Sequence, residues 1–253
     1  MIRRLINAIK NRKRKKRSRL YRYTNRILCT MCFAYLFLLF FPNLLFAYSA
    51  RVGQFNFHSD RPIPSQIKTV AEQANLKLSS SPFYKTTESF DIYIAEDKWR
   101  RVLLNARSSG AFGSRSIITG YILLNRCDIK NNICINDQPK FNRRTMHSVL
   151  AHESMHQLLA DELGFLAYFR LPTWKNEGYC EYVAGDPSFG EDRGEKLMRD
   201  GKSNNSHSFR YLTYLFAVRS CLDNQGLEPR QLMSQPIEFQ TSLDSYIDEL
   251  RDE

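Results

Sequence analysis

AHESMHQLLADELG, residues 151–164, is the stretch around which the rest of this 253-residue chain is organised. Its core, His152-Glu153-Ser154-Met155-His156, is preceded by Met146, Val149 and Leu150 and followed by Leu158 and Leu159. That spacing predicts one helix from the candidate N-cap Asn142 to about Leu163, with Gly164 as its stop. Residues four apart share a helix face, so His152 and His156 can offer two neutral imidazoles to one divalent ion. Glu153 lies one position beside them, where a carboxylate can move a proton without occupying the metal. The bland alternative is a helix with two chance surface histidines, and the apolar residues on either side weigh against it.

About twenty residues on comes Pro172-Thr173-Trp174-Lys175-Asn176-Glu177-Gly178-Tyr179-Cys180-Glu181-Tyr182. A helix is expected from near Thr173, directly after Pro172. Catalytic zinc needs a third protein ligand and an open fourth position. Glu177 and Glu181, one turn apart on one face, both qualify by spacing. Further on, helices are expected over residues 209–222, closed by Asn224-Gln225-Gly226, and over residues 239–250. Upstream, residues 51–65 are polar with Gly53, Pro62 and Pro64 and read as a linker. Residues 65–78 carry helical spacing. Phe90, Ile92 and Ile94 alternate as in a strand. Residues 96–106 return to a helical pattern, and residues 117–125 read as one strand or a short hairpin.

The two motifs together resemble those of the gluzincins, the HExxH metallopeptidases whose third ligand is a Glu on the following helix. The chain looks most similar to the small peptidase MA-like members and to the catalytic domain of the membrane alanyl aminopeptidases, whose second motif reads approximately P-x-W-x-N-E-G-x-A-x-Y. The likeness is strong over residues 120–182, faint to Gly226 and absent before Gly110. It implies an α+β, zincin-like metallopeptidase domain: a small mixed sheet with the active-site helix, then a helical half. It also implies one Zn²⁺ per chain held by His152, His156 and Glu177, with Glu153 as general base. Glu181 would then hydrogen-bond His152 and fix its tautomer. Tyr211, ten positions before Cys221, falls where such relatives place the oxyanion donor, with Tyr214 and His207 as alternatives. The implied substrate is a peptide or protein lying extended on an edge strand, for which residues 120–125 are the candidate. The Gly-x-Met-x-Asn stretch with which the aminopeptidases hold a free amine is not found, so endopeptidase action is expected. Cys180 stands where the family has Ala, which a bridge to Cys221 would explain; a free thiol there would instead lie near the metal and open the way to inhibition or redox control. The alternative to an enzyme is a membrane-anchored protein that keeps the metal site without turnover.

Charge places this domain. The chain has 37 Lys and Arg against 26 Asp and Glu, a net +11. Twelve of the cations precede Ile27 and the first acid is Asp60, so the remainder is close to neutral. Residues 1–26 therefore form a basic arm. By itself such an arm could bind nucleic acid, but residues 27–47 are almost wholly apolar and uncharged. About 20 such residues can cross a bilayer. A cationic flank before an apolar span stays cytoplasmic, so membrane attachment is expected and nucleic-acid binding is not. Residues 66–253, reached through a linker at 48–65, would work outside the cytoplasm, either anchored or released by cleavage near Ala47-Tyr48-Ser49. Cysteine usage agrees with export. Cys29 and Cys32 lie in the apolar span, and four remain. Cys127 and Cys134 bracket a short polar loop, and Cys180 could pair with Cys221.

Overall fold

The computed structural model describes residues 2–252, with side chains from Tyr21 to Arg251. The chain divides into two compact units, Met1–Leu45 and Phe46–Glu253. In the first, helix α1 runs over Ile2–Phe40 and gives way to a short turn at Pro42–Leu45. Pro42 lacks the N–H that a continuing helix needs. The apolar span therefore ends earlier than its composition suggests: the 20 residues Tyr21–Phe40 are long and apolar enough to cross a membrane, and none of that window is buried. Such a helix could serve as an anchor or a signal.

The second unit is a mixed α+β fold. A five-stranded sheet has the order β1-β2-β3-β5-β4, from β1 (Tyr48–Val52), β2 (Phe55–Ser59), β3 (Phe90–Ala95), β4 (Gly113–Arg115) and β5 (Ile122–Asn125). The central pairs β2–β3 and β3–β5 are parallel, and both edge strands pair antiparallel. A second sheet, β6 (Cys127–Asp128), β7 (Ile133–Ile135) and β8 (Arg143–Thr145), is antiparallel throughout. Helices α2 (Ile67–Leu78) and α3 (Lys98–Asn105) are interleaved with the strands. From Met146 on, only helices follow among the described residues: α4 (Met146–Leu163), α5 (Phe165–Arg170), α6 (Thr173–Ala184), α7 (Glu191–Arg199), α8 (His207–Arg219), α9 (Pro229–Ser234) and α10 (Phe239–Asp252).

Alternation builds the core. Phe55, Phe57, Phe90, Ile92, Ile94, Ile122 and Leu124 point to one face of the sheet and join Ile67, Val70, Ala74 and Leu78 of α2 in a single apolar cluster with α4. Helix α4 is buried all round: Met146 and every residue from 148 to 156 are inside. A helix without a wet face belongs at the centre of a domain. Here it lies between the sheet and the helical half, packing on β4 and β5 on one side and on α6 on the other.

Four expectations are corrected. Residues 51–65 are not all linker, because β1 and β2 form a hairpin there, turned by Gly53 at φ +56°. Only glycine takes that backbone readily. Helix α4 starts at Met146 behind Thr145, and Asn142 is no cap, because residues 143–145 pair with β7 instead. Residues 117–125 are a turn followed by β5: Ile117 and Ile118 are exposed, and the strand before the turn is β4. Consequently β5 is an interior strand, and the edge strand beside it is β4. Finally, Cys180 and Cys221 are both free and buried, whereas Cys127 and Cys134 are bonded.

Helices α6 and α8 approach each other closely at Gly178. A Cβ at Gly178 would run into the Tyr214 backbone carbonyl and sit 2.7 Å from Val218 Cγ2. A carbonyl inside a helix cannot swing aside, so the helices must separate. Gly178→Ala should destabilise the fold by about 2 kcal/mol or more, read as a lowered urea midpoint. An unchanged midpoint would mean that the two helices are not in contact at this glycine.

Candidate metal centre

Two helix boundaries set the site. Gly164, at φ +75°, ends α4 with its N–H on the Ala160 carbonyl at 2.9 Å. Pro172 then opens α6, its carbonyl receiving the N–H groups of Lys175 and Asn176 at 3.0 and 3.2 Å. Between them α5 reverses the chain, so that α6 returns along α4 and faces Glu177 toward the two histidines.

The result is a near-equilateral triangle of ligand atoms. His152 Nε2 and His156 Nε2 are 3.2 Å apart. Glu177 Oε2 lies 3.3 Å from the first and 3.4 Å from the second. Three ligands at about 2.0–2.1 Å from a tetrahedral ion are separated by about 3.3–3.4 Å, so the triangle has the dimensions of three corners of such a tetrahedron. These atoms cannot rest so close without a proton or a cation between them. His152, His156 and Glu177 therefore form a group that could hold a metal ion. Two imidazoles and one carboxylate suit a divalent transition-metal ion, zinc and ferrous iron included. Glu181, the spacing alternative, faces the other nitrogen of His152: its Oε1 is 3.2 Å from Nδ1, though not aligned as a hydrogen bond.

The far nitrogen of His156 is crowded. Nδ1 lies 3.0 Å from Asn176 Oδ1, 3.3 Å from the Tyr168 hydroxyl and 3.2 Å from the Cys180 sulfur. Asn176 can only accept through Oδ1, which puts the proton on Nδ1 and leaves Nε2 free for the triangle. Cys180 thus faces the side of the imidazole turned away from the ligand triangle. Burial, followed by the charges of Glu177 and Glu153, pushes its thiol well above the ordinary range.

Glu153 is buried, and burial is the main cause that raises its pKa. The backbone of β4 presses directly on it, since a Cβ on Gly113 would stand 3.1 Å from Glu153 Cγ. Tyr211 is reached because Ser206 caps α8, accepting from the Phe209 N–H at 3.1 Å. One turn later the Tyr211 ring stacks 6.4 Å from that of His152. Burial first, then Glu177, raises its pKa, so the hydroxyl keeps its proton. His207 packs on the Tyr211 ring at 4.8 Å, and Tyr214 lies between Tyr211 and Phe239 at 6.0 and 5.4 Å.

Sequence reasoning did not find Tyr168, Asn176 or Arg144. The Arg144 guanidinium donates to Glu181 at 2.8 Å and is as buried as its partner. Nothing in local spacing ties an arginine on a short strand to a helix more than thirty residues later. No protein-family model matches this chain, and no curated protein matches it. Its reading therefore rests on the site itself.

Burial opposes a proton on His152, but the charges of Glu181, Glu177 and Glu153 outweigh it and hold the imidazole's pKa at about 10. Without metal, that proton remains bound through neutral pH and competes with a cation. Raising the pH removes the competitor, so affinity must rise toward pH 10 and fall on acidification. The apparent Kd for Zn²⁺, measured against a chromophoric chelator, should tighten about tenfold per pH unit between pH 6.5 and 8.5. A flat profile would show that no such proton is displaced.

Proposed function

We propose that the chain is a zinc-dependent endopeptidase whose catalytic unit works outside the cytoplasm, attached through α1. The observation that carries this reading is the 3.2–3.4 Å triangle of His152, His156 and Glu177 with a second, non-ligating carboxylate beside it. A purely structural zinc site is closed by four protein ligands. Three ligands with a buried acid and a half-buried tyrosine at the rim are the parts of a hydrolytic centre.

A zinc ion bound there would polarise the scissile carbonyl and acidify water. Glu153 takes the proton of the attacking water on its carboxylate and hands it to the departing amine nitrogen. Burial favours the protonated acid between those two events and so suits both directions of transfer. Tyr211, kept neutral, donates its O–H to the carbonyl oxygen as negative charge develops there. Strand β4 meets Glu153 at Gly113 and has a free edge, to which an extended substrate can add through main-chain hydrogen bonds. This role passes to β4 from residues 120–125, whose strand is paired on both sides. The disulfide and the apolar helix support an oxidising compartment reached through a membrane.

Glu153→Gln keeps the shape but cannot take a proton. It should leave zinc content unchanged and lower kcat on an unfolded protein substrate by at least 10²-fold. Tyr211→Phe should lower kcat by about 10²-fold with little change in KM. Wild-type-like turnover in Glu153→Gln, or a zinc-loaded wild type that cleaves no unfolded protein, would overturn the peptidase reading. The latter result would leave a metal-binding protein without hydrolytic activity.

A further inference from the structure

Strand β8 has three residues, yet it touches both helices of the ligand triangle. Thr145 stands directly before α4, and its N–H and hydroxyl donate to the Asp186 carboxylate, just past the end of α6, at 3.2 and 2.6 Å. Arg144 precedes it with a buried side chain. Its Nη1 donates to Glu181 Oε1 at 2.8 Å. Nε and Nη2 donate to Ser148 Oγ on α4 at 3.1 and 2.9 Å, and Nη2 also reaches the Gly185 carbonyl at 3.2 Å. One guanidinium therefore fixes the spacing between the helix that carries the histidines and the helix that carries Glu177. The oxygen that receives Arg144 is also the one 3.2 Å from His152 Nδ1. Arg144 therefore places the carboxylate that stands behind the His152 ring.

Arg144 needs support of its own. A sheet of two-, three- and three-residue strands is too short to hold its register by hydrogen bonds alone. In that register Arg144 is the cross-strand partner of Cys134, and Cys134 is the partner of Cys127. Those two cysteines are the bonded pair. The covalent link and the arginine thus occupy one row across the three strands.

We propose that Arg144 is a positioning residue for the metal centre and that the Cys127–Cys134 disulfide holds it in place, so that metal affinity depends on a bond outside the two helices that carry the ligands. This rests on the metal-binding reading above. An arginine that merely fills space would stabilise the fold without governing affinity.

The test uses the full chain, with Zn²⁺ affinity read by chelator competition and ligand geometry read from the visible spectrum of the Co²⁺ form. Arg144→Met and Glu181→Gln should each weaken Zn²⁺ binding by about 10–100-fold. Acting through one another, they should not add: the double variant should bind no worse than the weaker single variant. Arg144→Lys, which keeps the charge and folds most readily, should recover part of the loss. Cys127→Ser with Cys134→Ser should weaken binding at least about tenfold and alter the Co²⁺ spectrum. Wild-type affinity in the disulfide-free variant, or fully additive losses at Arg144 and Glu181, would overturn the proposal. A wild type that binds no Zn²⁺ would instead sink the metal reading, and this inference with it.

Discussion

Two imidazole nitrogens and a carboxylate oxygen held within 3.4 Å of one another, mostly out of water, repel unless something positive lies between them. The protein has to enforce that proximity, and much of its architecture is accounted for by doing so. Helix α4 is encased by the sheet on one side and by the helical half on the other, which removes its freedom to roll. Helix α6 is clamped to α8 through Gly178, where no side chain keeps the backbones apart. Each imidazole also has a neighbour on its far nitrogen: Glu181 beside His152, and Asn176 with Tyr168 and Cys180 around His156.

The charge around the triangle is graded as well. Glu181 is ionised despite burial, because Arg144 and then His152 hold its pKa down to about 2. Glu177 is likewise held low against burial, by the two histidines. Glu153 alone is raised. Three carboxylates on two neighbouring helices thus differ in ionisation according to their surroundings, and in the proposed mechanism one would bind a cation, one would stand behind a ligand and one would trade a proton.

Much of this was legible in the sequence because it is local. The i, i+4 pair of histidines, Gly164 as a stop and Pro172 as a start are all properties of one helix or its ends, and they locate the triangle without any knowledge of the sheet. What escaped is long-range. The β1–β2 hairpin alternates Phe55 and Phe57 with Asn56 and His58, but it lies among Gly, Pro and polar residues whose composition reads as linker. Residues 143–145 have no strand character of their own and extend only because β7 offers them a ladder. Cys180 suggested a disulfide from parity, whereas its sulfur lies against His156 instead. Parity counts cysteines but does not see what each one packs against.

The proposed centre has two histidines and one glutamate, and no sulfur, around a single zinc ion. Zinc K-edge X-ray absorption on the zinc-loaded full chain tests it most directly. The account expects nitrogen and oxygen scatterers at about 2.0–2.1 Å with the outer-shell pattern of two imidazoles. A sulfur shell at about 2.3 Å, which would bring Cys180 into the coordination sphere, or the signature of fewer than two imidazoles would contradict it.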